Sequence, residues 1–368
     1  MIIKRFKAEN FRNISNCDIE FSPGVNLLYG KNAQGKTNAI EGIYIFSRGK
    51  SFRGKDDSEL IKFGERGFRI AIEFEDVSGN ESLEYALFDK ERLRKKNGYK
   101  INKVTEMIGS FKCVLFYPDN LGLVKGGPEE RRSFLNVAAS SCYPAYIKYY
   151  ADYKKALENR NQLLKLLQKG FYVNNYEIES WSESMSEYAS HIHIFRKEYL
   201  LRLENYAKNI MKDISDGEEE LSLSLETDIS KDACDREAVK RDYLKIFNEN
   251  ISKESAAGVS LYGPHRDDIL IKINEKNSRS FASQGQQRSV VLSMKLAEGE
   301  VIKEICGEYP VFLFDDVLSE LDEKRRKYVL SGRGERQIII TSCEPDVCKG
   351  FTDKEIDVSG GEYVSSHR

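Results

Sequence analysis

Short stretches of alternating apolar and polar positions mark the first hundred-odd residues. The segments "CDIEFSPGVNLLYG", "RGFRIAIEFED" and "ESLEYALFD" are bounded by Gly, Asn or Asp, and each predicts a short strand or a pair of strands. The pair Asn97-Gly98 in "KERLRKKNGYKINKV" is typical of a tight hairpin turn. We therefore expect the first third of the chain to be rich in sheet.

From about residue 129 the apolar spacing changes to three and four. The segment "PEERRSFLNVAASSC" predicts a helix ending near Pro144, and a second amphipathic helix extends to Gly170. A third helix, from Ile178 to Ile210, keeps the 3-4 spacing of a coiled-coil seam over 33 residues, roughly 50 Å. These helices predict an antiparallel helical hairpin, an arm and not a compact lobe, with Trp181 and the tyrosines of the seam packed inside it.

Strand-like alternation returns near residue 258 in "GVSLYGPHRDDILIKINEKN". A helix at about 285–306, the apolar strand "PVFLF", another helix and the strand "RQIIIT" follow. The order indicates an α/β fold interrupted by a helical insertion. We expect an α/β head formed by residues 1–125 and 255–368, with an all-α helical arm at 126–254. The tail "VSGGEYVSSHR" is expected to fray.

Composition narrows the classes of function. The 368 residues carry a net charge of −2, so any nucleic-acid contact must come from local basic patches and not from a global field. The seven cysteines form no CxxC pair and are odd in number, which favours reduced thiols over a disulfide framework or a zinc site. No segment resembles a signal peptide or a membrane span, so we expect a cytoplasmic protein without a membrane partner.

The segment "GKNAQGKT" fits the phosphate-binding pattern G-x-x-x-x-G-K-[ST] between a predicted strand and a predicted helix. Backbone N–H groups of such a loop and the helix N-terminus hold phosphate oxygens. Lys36 is expected to reach the β- and γ-phosphates of ATP, and Thr37 to ligate Mg²⁺. A plain glycine turn at a helix start is the alternative. The predicted nucleotide-binding residues are Gly30, Lys31, Asn32, Ala33, Gln34, Gly35, Lys36, Thr37 and Asn38.

An acidic element later in the chain complements this loop. Asp315 and Asp316 follow the apolar run "VFLF", at the C-terminal end of a predicted central strand where ligands of such sheets bind. Asp315 is expected to be the Mg²⁺ carboxylate, and Asp316 to orient an attacking water. The alternative is a strand-to-helix turn with Asp as the helix cap. The predicted catalytic residues are thus Lys36, Asp315 and Asp316, and the predicted metal ligands are Thr37 and Asp315.

The polar turn "ASQGQQRS" opens the helix that precedes the Asp315 strand. This turn resembles the signature motif of ATP-binding-cassette ATPases, and "SELD" after Asp316 resembles their D-loop. The resemblance implies that Ser283, Gly285 and Gln286 contact the γ-phosphate held by a second subunit, giving a head-to-head homodimer around two ATP molecules. Gly285 allows a close backbone approach, and the helix N-terminus favours an anion. Taken alone, the turn is a helix cap.

More specifically, the chain resembles the RecF family of bacterial recombination-repair proteins within the SMC-like ATPases. The resemblance rests on segments in the same order along nearly the whole chain: "GKNAQGKTN", "GKSFRGKDDSELI", "VLFYPDNLGLVKGGPEERRSFLN", "LYGPHRDDI", "SQGQQRS" and "DDVLSELD". It implies an ATP-dependent dimer that binds DNA at single-strand gaps and duplex junctions, and that works with RecR and RecO to load RecA.

Three departures from the broader cassette pattern imply slow ATP hydrolysis, a switch more than a motor. The acid after Asp315 is Asp and not the usual Glu, so its side chain is one methylene shorter. No glutamine occupies "FYPDNL", where Asp119 or Asn120 could substitute, and "IIITSCEPD" has no switch histidine. The residue that polarises the water therefore stays open.

Two basic clusters are candidates for DNA contact through the phosphate backbone, since no base-reading module is evident. The first contains Arg48, Lys50, Arg53 and Lys55 beside Phe52, and the second contains Lys90, Arg92, Arg94, Lys95, Lys96, Lys100 and Lys103. Each alone could be a solvated face. His265 is expected to hydrogen-bond within its loop. The alternative functions are the ATPase subunit of a membrane transporter, and a nucleotide-regulated scaffold that does not hydrolyse ATP.

Overall fold

A computed structural model of the chain describes residues 1–54, 56–230, 233, 235–332 and 334–366. Lys55 of the first basic cluster lies outside the described residues. The chain divides into two compact units. Unit 1 comprises Met1–Leu121, Asn209–Glu218 and Gln284–Arg368, and unit 2 comprises Gly122–Lys208 and Glu219–Ser283. The domain boundaries at 125 and 254 stay a prediction.

The N-terminal part of unit 1 contains eight strands and two α-helices in the described chain. They are β1 (Ile2–Phe11), β2 (Ile14–Glu20), β3 (Val25–Tyr29), α1 (Lys36–Arg48), β4 (Gly67–Asp76), β5 (Gly79–Phe88), β6 (Glu91–Lys96), β7 (Tyr99–Lys100), α2 (Val104–Ile108) and β8 (Cys113–Phe116). The Asn97-Gly98 turn between β6 and β7 is confirmed, with φ of 51° and 80° at its two residues.

The following elements belong to unit 2, except that the last residues of α6 belong to unit 1. They are α3 (Gly122–Lys125), α4 (Pro128–Cys142), α5 (Pro144–Gln168), α6 (Asn175–Ile214), β9 (Leu221–Glu226), α7 (Arg236–Glu249), α8 (Ile251–Ala257), β10 (Asp268–Ile273), β11 (Lys276–Asn277) and α9 (Ser278–Phe281).

Unit 1 is completed by α10 (Gln284–Cys306), β12 (Val311–Asp315), α11 (Glu323–Ser331), β13 (Ile338–Ser342), β14 (Lys354–Ser359) and β15 (Glu362–Ser366). The expected frayed tail is wrong, because β14 and β15 form a hairpin. Ile356 and Val358 of β14 are buried, and this burial of apolar side chains favours the strand over a disordered end.

Two six-stranded sheets build unit 1. One is antiparallel, in the order β2-β1-β4-β5-β6-β7, and the other has the order β15-β14-β3-β13-β12-β8. In the second sheet all neighbours run parallel except the β14–β15 hairpin. The strands β12 and β13 are buried along their whole length, as their unbroken apolar sequences predict.

Helix α1 packs its apolar face against the core of unit 1. Ile40, Ile43 and Phe46 recur at helical spacing and are fully buried. Gly42 on the same helix passes close to the antiparallel sheet, since a Cβ there would lie 2.6 Å from the Phe6 ring. This close packing holds α1 against the sheet, and the first turn of α1 carries Lys36 and Thr37 of the phosphate-binding pattern.

Unit 2 confirms the helical insertion but is more than a helical hairpin. Helix α6 is 40 residues long, roughly 60 Å, and its predicted apolar stripe is buried at Met185 and Ile192. These residues share one core with Tyr153 of α5 and with Tyr243 and Phe247 of α7. A three-stranded sheet, β11-β10-β9, belongs to the same unit. The strand expected near residue 258 begins only at Asp268.

Candidate nucleotide-binding site

The segment of residues 30–37 forms the connection between β3 and α1. Gly30 and Gly35 have φ of 151° and 115°, where a side chain would be strained. A Cβ on Gly30 would also lie 2.2 Å from the carbonyl oxygen of Val358. The glycines of the pattern are thus required by the backbone path.

Lys36 folds back over this loop. Its Nζ donates to the carbonyl oxygens of Gly30, at 2.7 Å, and of Lys31, at 2.8 Å. The side chain is largely buried, with 6% of the residue exposed. A cationic group therefore lies inside the loop, with the carbonyls turned toward it.

Thr37 at the start of α1 meets Asp315 at the end of β12. The Thr37 hydroxyl donates to Asp315 Oδ1 at 2.8 Å, and Thr341 at the end of β13 donates to the same oxygen at 2.7 Å. Residues 278 positions apart in sequence are brought together because β12, β13 and β3 are neighbours in the parallel sheet. The predicted metal ligands are therefore adjacent.

The environment disfavours the charged forms of both neighbouring acids, Asp315 and Asp316. Burial raises the pKa of Asp315, and the charge of Asp316 raises it further, against the hydrogen bonds from Thr341 and Thr37. Burial also raises the pKa of Asp316, which the charge of Lys36 opposes. Asp316 adopts φ of 55°, and its N–H donates to Thr341 Oγ1 at 3.1 Å. Paired acids of this kind fit a divalent cation, which would favour their charged forms.

The turn between β1 and β2 supports the loop, which the sequence did not indicate. Asn13 Nδ2 donates to the carbonyl oxygen of Ala33 at 3.1 Å, and its Oδ1 accepts from Asn38 Nδ2 at 2.6 Å. Asn38 Oδ1 in turn accepts from Arg53 at 2.9 Å. Arg53 thus lies beside the phosphate-binding pattern, although sequence reasoning assigned it to a DNA-binding cluster.

Buried Glu41 holds the segment that carries Arg53. The carboxylate is fully buried on α1 and accepts two hydrogen bonds from Arg12, at 2.6 and 3.0 Å. It also accepts from the Ser51 hydroxyl, which itself accepts from the N–H groups of Arg53 and Gly54. The loop after α1 is therefore anchored to the nucleotide-site helix through one carboxylate.

The hairpin of β14 and β15 contacts the loop from another side. The Tyr363 hydroxyl donates to the Gly35 carbonyl oxygen at 2.9 Å, and the Gly360 N–H donates to Gln34 Oε1. This contribution was not predicted, because the segment was expected to be a frayed tail. The alternation in "KEIDVS" was the available strand signal.

The polar turn at Ser283 begins α10, as expected. Ser283 precedes the helix, and Ser283 and Gly285 are both exposed, while Gln286 is partly buried. Within unit 1, Arg288 of the same helix pairs with Glu320 of the predicted D-loop at 3.1 Å. The turn therefore lies at a helix start with Ser283 and Gly285 exposed, and its action on a second subunit's phosphate stays a prediction.

Comparison with known proteins identifies the family. The family described as the RecF/RecN/SMC N terminal domain matches residues 2–362. A DNA replication and repair protein RecF of Clostridioides difficile (strain 630) is 35% identical, over 99% of this chain and 98% of the relative. That of Clostridium kluyveri is 38% identical, over 96% and 94%. The chain belongs to the RecF family of SMC-like ATPases.

Solved structures agree with this assignment. A structure of the recombination mediator protein RecF with ATP in the RecFOR pathway is 32% identical, with a TM-score of 0.92, over 100% of this chain and 98% of that one. An SMC head bound to the C-winged helix domain of ScpA has a TM-score of 0.59 at 16% identity and shows the fold alone. The predicted SMC-like ATPase head with a helical insertion is thus confirmed. Among the described residues, no helix is long and apolar enough to cross a membrane.

Two further positions show how this RecF-family chain departs from the cassette pattern. Asn120 caps its own turn, because its Oδ1 accepts from the Tyr117 N–H at 3.0 Å, whereas Asp119 is exposed. After β13, where a switch histidine was sought, exposed Cys343 lies 3.7 Å from Lys36 Nζ and 2.8 Å from Asn32 Oδ1. A thiol therefore lies beside the phosphate-binding loop, at the position after β13 where a histidine was expected in the cassette pattern.

The first basic cluster is dispersed by the fold. Arg48 is buried and paired with Glu298 at 3.4 Å, so its side chain is not exposed for contact with DNA. Phe52 packs against Tyr44 and Tyr117. Lys50 is exposed. Together with the position of Arg53, this leaves little of the predicted patch in the described part of the chain.

Three of the seven basic residues of the second cluster pair with acids, two on β5 and one, Asp57, in the short 3-10 helix after α1. Arg92 pairs with Asp57 at 2.8 Å, Lys95 with Glu84 at 3.3 Å, and Lys96 with Glu81 at 3.3 Å. Three further lysines of this cluster are exposed: Lys90, Lys100 and Lys103. Arg94 lies over the Tyr85 ring at 5.0 Å. DNA contact by either cluster stays a prediction.

His265 hydrogen-bonds within unit 2, as expected. Its Nε2 lies 3.1 Å from the Ser260 carbonyl oxygen and its Nδ1 2.6 Å from the Tyr153 hydroxyl. Burial lowers the pKa of His265 to about 4, so the ring is neutral at physiological pH. A neutral ring donates from Nε2 and accepts at Nδ1 here, since a carbonyl can only accept.

Proposed function

We propose that the chain is an ATP-dependent DNA-binding protein of recombinational repair. In this proposal it binds ATP, dimerises head to head around two ATP molecules, and binds DNA at single-strand gaps and duplex junctions. It works with RecR and RecO to load RecA, and slow ATP hydrolysis resets it. The observation that carries the proposal is the Thr37–Asp315 hydrogen bond of 2.8 Å beside the Lys36-filled loop.

The loop fits the phosphates of ATP. Lys36 supplies a buried cation, and backbone N–H groups of residues 30–37 with the N-terminus of α1 supply donors for anionic oxygens. Gly30 and Gly35 give the loop a backbone path with positive φ, where side chains would be strained and would press on neighbouring segments. The solved relative described as RecF with ATP supports ATP as the nucleotide.

The acid and hydroxyl ligands fit Mg²⁺. Thr37 and Asp315 would hold the ion, which would neutralise phosphate charge when bound. Asp316 would orient water from the next position along the chain. Its short side chain and the absence of a histidine after β13 support slow turnover, as a switch requires.

Dimerisation would complete the site. Ser283, Gly285 and Gln286 stand at the N-terminal end of a 23-residue helix, where an anion is favoured. Presented to a second copy, they would contact the γ-phosphate bound by that copy. ATP would thus act as part of the interface, and hydrolysis would release it.

The transporter-subunit alternative is disfavoured by the family assignment, since the RecF relatives match over nearly their whole length. The scaffold alternative differs only in turnover. An Asp316→Asn variant separates them: it should lengthen the lifetime of the DNA complex if hydrolysis resets the protein, and leave it unchanged in a scaffold that never hydrolyses ATP.

The decisive experiment is fluorescence-anisotropy titration of a gapped duplex in ATP, in ADP, and with the Lys36→Arg variant in ATP. A gapless duplex of equal length tests the preference for a gap, and a salt series tests the phosphate contribution. The Lys154→Gln variant is a charge control, because Lys154 is exposed on α5 and lies outside the loop and both basic clusters.

Salt-sensitive binding in ATP that fades in ADP and in the Lys36→Arg variant is the expected result. The control variant should lose far less affinity for DNA, because it removes at most one contact with a DNA phosphate. Binding indifferent to nucleotide would overturn the ATP switch and keep DNA binding. Absence of DNA binding in ATP would overturn the proposed function as a whole.

A further inference from the structure

The hairpin of β14 and β15 belongs to the architecture of the phosphate loop. Strand β14 pairs in parallel with β3, the strand that leads into the loop, and Asp357 is in register with Tyr29. The residues that follow Asp357 therefore run beside the residues that follow Tyr29. This register brings Val358 to Gly30, Gly360 to Gln34 and Tyr363 to Gly35.

We infer that Tyr363 is a positioning residue of the nucleotide site. Its hydroxyl donates to the Gly35 carbonyl oxygen at 2.9 Å. That oxygen also accepts from the Ala39 N–H at 3.1 Å, so both of its lone pairs are used. The inference rests on the proposed function, namely that residues 30–37 bind ATP.

The physical basis is the planarity of the peptide unit. In a trans peptide the carbonyl of Gly35 and the N–H of Lys36 point in opposite directions. A hydrogen bond that fixes the Gly35 carbonyl therefore fixes the direction of the Lys36 N–H. An N–H held toward the anion before binding lowers the ordering cost of binding.

The same logic applies to other peptide units of the loop. Asn13 Nδ2 donates to the Ala33 carbonyl oxygen at 3.1 Å, which orients the N–H of Gln34. Lys36 Nζ holds the carbonyls of Gly30 and Lys31, which orients the N–H groups of Lys31 and Asn32. Four peptide units of the loop, counting the one held by Tyr363, therefore have a fixed orientation.

Tyr363 suits this role because its hydroxyl keeps its proton. Burial raises the pKa of Tyr363, so the group is a donor throughout any practical assay pH. A Gly35 side chain would lie 3.0 Å from this hydroxyl, which shows how closely the two elements approach.

The test compares Tyr363→Phe with the wild type by calorimetric titration of ATP with Mg²⁺. The variant keeps the ring and removes one donor. We expect an ATP Kd about five- to tenfold weaker, the range of one hydrogen bond, with binding stoichiometry and saturated hydrolysis rate within about twofold. Tyr309→Phe is the matched control, because the Tyr309 hydroxyl bonds Glu300 at 2.9 Å and not the loop.

Each outcome is decisive. An unchanged Kd in Tyr363→Phe, with ATP bound normally by the wild type, overturns the inference alone. Failure of the wild type to bind ATP overturns the proposed function instead. A fold defect would lower the stoichiometry and the unfolding temperature without moving Kd, and this result also counts against positioning. An Asn13→Ala variant, which loosens the Ala33 peptide, should weaken Kd in the same direction; no change there contradicts peptide orientation as the mechanism.

Discussion

Unit 1 and unit 2 each contain a cluster of charged side chains, and the two clusters differ in how their charges are satisfied. In unit 1, Lys36 donates only to carbonyl oxygens in its closest contacts, and Asp315, which accepts from the hydroxyls of Thr37 and Thr341, stands beside Asp316. In unit 2, fully buried Arg196 donates to Asp267 at 2.7 Å, and fully buried Arg160 pairs with Glu254 at 2.6 Å.

The difference separates structural charges from functional ones. Arg196 also donates to the Pro264 carbonyl oxygen at 2.7 Å and to Asn136 Oδ1 at 2.7 Å, so its donors are used inside the unit. The acids of the phosphate site repel each other and would gain from a bound cation. A satisfied buried network specifies a fold, whereas an unbalanced cluster at a strand end indicates a ligand.

The largest effect is expected from breaking the network of unit 2. An Arg196→Met variant leaves buried Asp267 without its partner and should lower the free energy of unfolding by about 3–5 kcal/mol. Denaturant titration measures it. Arg266→Met, at an exposed position next to Asp267 in the chain, should change stability by about 0.5 kcal/mol or less. Equal effects of the two variants would refute a structural role specific to Arg196.

A smaller effect on the reaction, without an effect on stability, is expected from Asp316→Asn. If Asp316 orients the water, the ATP hydrolysis rate should fall about 100-fold, while ATP affinity stays within about threefold. Steady-state phosphate release checks the rate. Glu344→Gln is the matched acid-to-amide control, since Glu344 is exposed and influences Asp316 only through its charge. A normal rate in Asp316→Asn would assign the water to another residue.

The stability of unit 2 should depend on pH through its neutral histidines. Burial lowers the pKa of His193 and of His265 to about 4, below the unfolded value of 6.5. The unfolded chain therefore binds more protons between pH 6.5 and 4, so stability falls as pH falls through this window. The slope reaches at most about 1.4 kcal/mol per pH unit for each histidine.

Urea unfolding at pH 7.5, 6 and 5 measures this slope. A His193→Phe variant removes a buried group that must stay neutral and should reduce the slope, with the remainder due to other titrating groups. A slope that is identical in the variant would show that His193 is not protonated differently in the two states.

The smallest effect is expected at Cys343. Its exposed thiol lies beside Lys36 and Asn32, so bound ATP should protect it from N-ethylmaleimide about tenfold at ten times the Kd. Peptide mass spectrometry resolves each cysteine. Cys306, partly exposed on α10, serves as the internal control and should react equally with and without ATP. Equal labelling of Cys343 in both conditions would contradict a nucleotide beside the Lys36 loop.

Local patterns predicted the elements where chemistry and structure use the same residues. The glycines and lysine of "GKNAQGKT" require a particular backbone path, so the loop between β3 and α1 follows from the motif itself. The 3-4 spacing predicted α5 and α6, and the apolar run before Asp315 predicted β12. Period and motif are properties of neighbouring residues, and the sequence carries them directly.

Pairings between distant residues had no local signal. Nothing near Tyr363 indicated that its hydroxyl reaches Gly35, and nothing near Arg53 indicated its hydrogen bond to Asn38. The compact core of unit 2 was not predicted for the same reason. Helix α7 packs on the apolar stripe of α6, and that stripe would serve equally well in a two-helix arm.

The phosphate loop, the acidic strand end, the helical insertion and the family could all be predicted from the sequence. Each is encoded by residues adjacent in the chain or at a fixed helical or strand period. Which side chains support the loop, and which basic residues pair with acids inside the protein, became visible in the fold alone. Those outcomes depend on the order of β14, β3, β13 and β12 in one sheet and on burial, which are set by the whole chain at once.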